Sequence, residues 1–284
     1  MDDNLIILAA GASSRMKQQM SVNTSLSNEE IQQANNRSKA LISIDTSGRP
    51  LLDYVLFNAN KAGYKNIYIV TQKENELFKS LYHNNDRFRG MSIRFAIQYI
   101  PKNRVKPFGT ADALYQTLVQ YPELKKKSFT VCNSDNLYSK RAFQMLRKHK
   151  NSPNALISYD RDALQFSEER ISKFALMLFD IGGHLNDIIE KPSLDQLHNF
   201  KDSSGKLRVS MNIFKFDGNM FFNYLKNCPV NPDRNEKELP TALLNMVREH
   251  RTSAIGIPLS EHVPDLTSKE DILILKEYLK NLRI

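Results

Sequence analysis

The stretch LIILAAGASSRM, Leu5 to Met16, runs a short apolar segment into a turn of small residues that ends at Arg15. An apolar run of that length, closed by glycine and serine, reads as a buried strand rather than a helix. The chain then repeats the device. LIILAA is followed by a helical pattern over Pro50 to Ala62, then by NIYIVT, Glu74 to His83, SIRFAIQYI, Thr110 to Tyr121, SFTVCN and Ser139 to His149. This β-α-β-α order is that of an α/β fold, a mostly parallel sheet with helices on both faces. The helix from Pro50 shows the local logic. Proline stands in its first position, Leu51, Leu52, Val55, Leu56 and Ala59 recur at helical spacing, and Gly63 lies just past its end.

Beyond residue 150 the rhythm changes. FALMLFDIGGHLNDIIEKP sets Gly182 and Gly183 between two alternating segments and predicts a hairpin. LRVSMNIFKF predicts one strand and Glu238 to His250 a helix, after which the chain returns through SAIGIPL to a last helix. Thr267 and Glu270 have the spacing of a capping box before a last apolar run that ends near Leu282. No repeat and no Pro-, Gly- or Ser-rich linker interrupts the chain, so residues 1–284 are expected to form one domain with halves 1–150 and 151–284.

The composition narrows the function. With 41% hydrophobic and 25% charged residues in 284, the chain has the make-up of a folded globular protein. Its start, MDDN, is acidic where a signal peptide would be basic, and the first apolar run is too short for a membrane span, so a cytoplasmic protein with no membrane partner is expected. Cys132 and Cys228 are too few and too far apart for a zinc site or a disulfide framework. The formal charge of +9 suits any polyanion. The one dense basic run, Lys125 to Lys127, has no interleaved aromatic or glycine for stacking on bases, so it reads as a solvated turn and no nucleic-acid partner is expected. The six histidines have no metal-ligand spacing and no neighbouring nucleophile, which argues against covalent catalysis.

Gly11, Ala12, Ser13 and Ser14 would let backbone N–H groups approach a polyphosphate, and a helix starting there would add its positive end. The bland alternative is a tight turn capped by serine. The stretch lacks the Gly-Lys-Ser/Thr of a P-loop, which argues against a Walker-type site.

The surrounding motifs extend this reading. LAAGASSRM is followed by Lys39 in SKALISI, by PFGTADAL at Pro107 to Leu114, VCNSDNLY around Asp135, EKP at Glu190 to Pro192, and SMNIFKF at Ser210 to Phe216. The series resembles the sugar-1-phosphate nucleotidyltransferases, or nucleoside-diphosphate-sugar pyrophosphorylases, over nearly the whole chain. The resemblance implies a Rossmann-like mixed sheet with a hairpin-containing sugar-binding half. It implies a nucleoside triphosphate and a sugar 1-phosphate as substrates and Mg²⁺ as cofactor, with the oligomeric state left open.

Residue by residue, it assigns nucleotide binding to Leu8, Ala10, Gly11, Ala12, Ser13, Ser14, Gln98, Gly109 and Thr110. It assigns the charge-stabilising catalytic roles to Arg15, Lys39 and Lys191. Sugar-phosphate contacts fall to Asn133, Glu190, Lys191 and Asn212, and metal ligation to Asp135 and Asp265. LAAG with the following Arg and Lys is shared with cytidylyltransferases acting on phosphates such as phosphocholine, and a non-catalytic nucleotide-sugar-binding regulatory protein would also fit the fold; both stay open. Residues 17–38, with Ser27 and Glu30 at capping-box spacing, read as an insertion, either a lid that brings Lys39 to the triphosphate or a solvated surface loop.

Overall fold

Leu5 and Ile7 of the first strand, β1 (Asn4–Leu8), pack into one hydrophobic core and Ile6 into another, so the period-two alternation of a strand sets up a two-faced sheet. The structure is a computed structural model that describes residues 3–18, 26–83, 85–190, 192 and 194–281. After β1 come α1 (Asn28–Asn36), α2 (Leu51–Ala62), β2 (Asn66–Thr71), α3 (Glu76–Tyr82), β3 (Ser92–Ile97), α4 (Thr110–Gln120), β4 (Ser128–Asn133) and α5 (Lys140–Lys148). The second half holds β5 (Asn154–Asp160), α6 (Glu168–Ile171), the hairpin β6 (Leu176–Phe179) and β7 (Leu185–Ile189), β8 (Arg208–Val209), β9 (Ile213–Asp217), α7 (Gly218–Lys226), α8 (Leu239–Glu249), β10 (Ala254–Leu259) and α9 (Glu270–Asn281).

The strands form one ten-stranded sheet in the order β3-β2-β1-β4-β9-β5-β8-β6-β7, with β10 paired to β5. Pairs β3/β2, β2/β1, β1/β4 and β5/β10 are parallel and the others antiparallel, so the sheet is mixed. From β1 the chain builds outward to β2 and β3 and then returns to place β4 on the other side. The crevice beyond the carboxyl ends of β1 and β4 is therefore a topological switch point, where open α/β sheets take ligands. Helices α2, α3 and α5 cover one face, and α4, α7 and α8 the other. Among the described residues no helix is long and apolar enough to cross a membrane.

Several expectations are corrected by tertiary pairing. Pro50 is the N-cap of α2 in extended conformation, one residue before the first helical position, and Gly63 closes the helix at φ 98°. LRVSMNIFKF is not one strand. It breaks at Ser210–Asn212 because β8 pairs with the end of β5 and with β6, whereas β9 pairs with β4 and the start of β5, and Asn212 makes the jog at φ 55°. NALISYD, not foreseen as a strand, is the fully buried β5 at the fork of the sheet. Thr267 and Glu270 do not form a capping box. The Asp271 carboxylate accepts the Thr267 and Ser268 backbone N–H groups (2.8 Å each), and the Thr267 hydroxyl goes to Asp265. Leu282 lies outside the described residues.

A third core holds the site together. Met16, Leu26, Ala34, Ile42, Leu137, Leu266, Ile272 and Leu275 bury their side chains in one cluster. They come from the glycine loop, α1 and the residue before its N-cap, the end of the turn Lys39–Leu41, the loops after β4 and β10, and α9. The box expected from Ser27 and Glu30 caps α1, with Ser27 N–H to Glu30 Oε2 at 2.7 Å and Glu30 N–H to Ser27 Oγ at 3.3 Å. Glu30 also pairs with Lys276 of α9. Residues 26–38 are thus docked through Leu26, Gln33 and Ala34, while Ser27, Asn28, Glu29, Gln32, Asn35 and Asn36 stay exposed. Residues 19–25 of the anticipated lid lie outside the described residues.

Candidate active site

The loop after β1 is held open by its neighbours. Gln72 donates its side-chain amide to Ala10 O (2.8 Å), and Ser38 Oγ donates to Ala9 O (3.4 Å). Ser13, at φ 55°, accepts the Lys39 backbone N–H on its Oγ at 3.4 Å. These contacts close the sequence gap between Arg15 and Lys39, because the glycine loop and the Lys39 turn (Lys39–Leu41) are hydrogen-bonded neighbours in space. The expected helix does not start here: residues 14–17 form turns, and α1 begins at Asn28. Any anion would meet the loop's N–H groups without a helix dipole behind them. A Cβ built on Gly11 meets nothing within 4 Å, so its smallness serves the open side of the loop, not the protein's own packing.

Asp135 stands just past β4, with its loop laced to β1 and to the segment before α9. Ser134 N–H reaches Leu8 O (3.1 Å), Leu137 N–H reaches Pro264 O (2.8 Å), and Leu266 N–H reaches Asp135 O (2.8 Å). This bridge brings Asp265 beside Asp135. Lys39 Nζ lies 3.0 Å from Asp135 Oδ2. Arg170 Nη2 lies 2.8 Å from Asp265 Oδ2, which also accepts the Thr267 hydroxyl at 2.8 Å. Burial first, and then the charge of Asp135, push the Asp265 carboxyl above its usual range. Each carboxylate therefore has one oxygen engaged, and Oδ1 of each has no hydrogen-bond partner among the described residues. Two adjacent acidic groups with one open oxygen apiece fit a hard divalent cation, whose other positions would be left to water and phosphate. Among the described residues no third His, Cys, Asp or Glu joins them.

The loop before α4 is shaped by Gly109. Gln98, nearly fully buried at the end of β3, donates its amide to Gly109 O (3.0 Å) and to Asp112 Oδ2 (2.9 Å). Lys237 clamps the same loop from the other half of the chain: its N–H goes to Phe108 O (2.9 Å) and its O accepts the Ala111 N–H (3.0 Å). Leu239 N–H reaches the Thr110 hydroxyl (2.9 Å). Gly109 has φ 98°, and a Cβ there would sit 2.3 Å from Lys237 O and 2.8 Å from Lys237 N, both backbone atoms with little room to yield. Gly109→Ala is therefore expected to cost about 2 kcal/mol or more of stability. Urea unfolding tests the effect. An unchanged midpoint would mean that the loop is free to move away from Lys237.

On the opposite side, Tyr138 is fully buried. Its hydroxyl lies 2.7 Å from Met211 O and 3.2 Å from Asn212 O, which ties the Asp135 loop to the jog between β8 and β9. Asn212 itself is exposed on that jog. Glu190 is exposed at the end of β7, 3.7 Å from Arg234 Nη2. Lys191, expected to take the sugar phosphate, lies outside the described residues.

Two clefts result. One, of about 350 Å³, is lined by Leu8, Ala10 to Arg15, Lys39, Gln98, Gly109 and Thr110, together with Asn133, Asp135 and Glu236. The other, of about 570 Å³, is lined by Glu190, Asn212, Arg170, Arg234, Asn136 and Asp265, and again by Arg15, Thr110, Asn133, Asp135 and Glu236. The clefts adjoin at Asp135. Every described candidate residue lines one or both. Sequence reading missed Lys106, Asn136, Arg170, Arg234 and Glu236, which also line them. Asn136 alone carried a signal, its adjacency to Asp135. The others sit in polar segments, Arg170 in the short α6 and the rest in loops, whose sequence looks like any solvated stretch.

Comparison with known proteins gives this arrangement its class. The nucleotidyl transferase family model matches residues 34–256, and the chain belongs to that family. It is 26% identical over 206 residues to a glucose-1-phosphate adenylyltransferase of Koribacter versatilis, covering 71% of this chain and 48% of that protein. It is 28% identical over 194 residues to the same-named protein of Bradyrhizobium diazoefficiens, covering 65% and 44%. The chain thus spans about half the length of the curated relatives it matches. A crystal structure of UDP-glucose pyrophosphorylase complexed with UDP-glucose shares the fold, with a TM-score of 0.71 at 16% identity over 99% of this chain and 100% of that one.

Proposed function

We propose that the protein joins a nucleoside triphosphate and a sugar 1-phosphate into an NDP-sugar, releasing pyrophosphate. The reading rests on the two clefts that adjoin at Asp135: one suits a base and a triphosphate, the other a sugar phosphate, and they meet where an α-phosphate and its attacker must meet. The adenylyltransferase names of the relatives point the same way.

The sugar-phosphate oxygen attacks the α-phosphorus in line, a new P–O bond forms, and the bond to the pyrophosphate oxygen breaks with its electron pair leaving on pyrophosphate. The attacking phosphate is already ionised near neutral pH, so no general base is required. The N–H groups of Gly11 to Ser14 receive the phosphate oxygens, and Arg15, which lines both clefts, stabilises charge on the attacking and the departing side. Lys39 leaves Asp135 for the triphosphate. Gln98, Gly109 and Thr110 form the wall for the base. Asn133, Glu190 and Asn212, with Lys191 next to Glu190 in sequence, serve the sugar phosphate. Mg²⁺ held by Asp135 and Asp265 would screen the two reacting phosphates from each other. In this division residues 1–150 chiefly bind nucleotide and 151–284 the sugar phosphate.

The test is pyrophosphate release for each nucleoside triphosphate crossed against a panel of sugar 1-phosphates and phosphocholine, in Mg²⁺ and in EDTA. Mg²⁺-dependent release with a sugar 1-phosphate is expected. Release with phosphocholine alone would replace the sugar by a polar alcohol phosphate. No release with any pair, together with thermal stabilisation by an NDP-sugar, would make the protein a binder and not a catalyst.

A further inference from the structure

Two cations already sit at the Asp135–Asp265 pair, and they are held very differently. Among the described residues Lys39 Nζ makes one hydrogen bond, to Asp135 Oδ2, from a flexible stem beside the glycine loop. Arg170 is fixed in a fork. Its Nη1 donates to Asp271 Oδ1 (2.6 Å), and its Nη2 donates to Asp265 Oδ2 (2.8 Å), to the Thr267 hydroxyl (3.1 Å) and to Asp265 O (3.3 Å). The guanidinium also lies 4.6 Å from the centre of the Phe166 ring. Asp271 is held in turn by the Thr267 and Ser268 N–H groups ahead of α9. Lys39 can leave for a phosphate, whereas Arg170 would have to break contacts to two carboxylates and a hydroxyl.

We infer that Arg170 is a resident counter-cation of the metal site: it keeps a positive charge on Asp265, so that the free protein holds a divalent cation weakly and the ion is retained only together with the polyphosphate. The inference rests on the reading of Asp135 and Asp265 as the metal carboxylates. The charge balance supports it. Asp135, Asp265 and Asp271 carry three negative charges against the two positive charges of Lys39 and Arg170, a net −1. Removing Arg170 leaves −2 beside the open Oδ1 atoms, and Coulomb attraction for a divalent ion rises accordingly. Arg170 is a positioning and charge-balancing residue here, since it need not touch substrate.

The experiment is direct Mn²⁺ binding, followed by the electron paramagnetic resonance of free Mn²⁺, on the full chain without nucleotide. Arg170→Met is expected to bind Mn²⁺ at least about tenfold more tightly than the parent, and its melting temperature should gain more from added Mn²⁺. Arg170→Lys, which keeps the charge, should bind nearly as weakly as the parent. Arg170→Gln keeps hydrogen bonds while losing the charge, and should tighten binding even if the methionine variant fails to fold. Unchanged or weaker Mn²⁺ binding in a folded, charge-free variant overturns the inference. Tightening that survives Asp265→Asn in the same background overturns it too, by moving the metal away from Asp265. Because no turnover is read, absent pyrophosphate release would defeat the proposed reaction and leave this result standing.

Discussion

Asp135→Asn is expected to lower kcat by roughly 10²–10³-fold, the effect of losing about 3–4 kcal/mol of charge stabilisation at a reacting phosphate. The substitution keeps volume and shape but exchanges a charged oxygen pair for a neutral amide. Its effect on stability should be small because two changes oppose each other. The ion pair to Lys39 is lost, but it is partly solvent-exposed on the Asp135 side, where such pairs contribute about 1 kcal/mol or less. At the same time the like charge that raises the Asp265 carboxyl disappears, which relieves that buried group. Steady-state kinetics and a urea titration separate the two readouts. A kcat within threefold of the parent would place the reacting phosphates elsewhere, and a large fall in the unfolding midpoint would mean that Asp135 acts on the fold. Mn²⁺ affinity should fall with kcat, since the acceptor amide oxygen carries no charge.

Lys39→Met is expected to reduce kcat/KM for the nucleotide by about 10²-fold, the scale of one charge removed from a developing phosphate anion. Methionine keeps the stem that packs beside the loop. The backbone contact from residue 39 to Ser13 Oγ does not depend on the side chain. The loss should therefore appear in nucleotide kinetics and hardly at all in the KM for sugar phosphate. Lys39→Arg retains charge but carries a wider, planar head group, so partial recovery is expected rather than full activity. Equal increases in both substrates' KM values, with kcat unchanged, would show that Lys39 only shapes the cleft.

Much of the architecture was legible because it depends on local patterns. The strands in LIILAA, NIYIVT and SFTVCN announce themselves by β-branched and apolar runs with turn residues at their ends, and α2 by periodicity and its closing glycine. The hairpin around Gly182 and Gly183 was equally plain. NALISYD was not, because a strand buried on both faces lacks the alternation that marks a half-exposed one. The break in LRVSMNIFKF was hidden for another reason: nothing within that segment records that its two ends pair with different partners.

The candidate site divides in the same way. Gly11, Arg15, Lys39, Gly109, Asp135 and Glu190 stood in recognisable motifs, and they and Asp265 line the two clefts. Arg170, Arg234 and Glu236 had no such signal, since each is a charged residue in a polar segment and gains meaning only from what it faces. Sequence by itself determined the α/β order, the glycine loop and the carboxylate at the strand end, because these follow from short-range periodicity, backbone freedom and the position of a residue within its own element. Only the tertiary structure decided that Lys39 closes on the glycine loop, that Lys237 locks Gly109, and that Arg170 lies on Asp265. Those are contacts between segments distant in the chain, and their free energy comes from burial and charge pairing that exist only after the sheet and its third core have assembled.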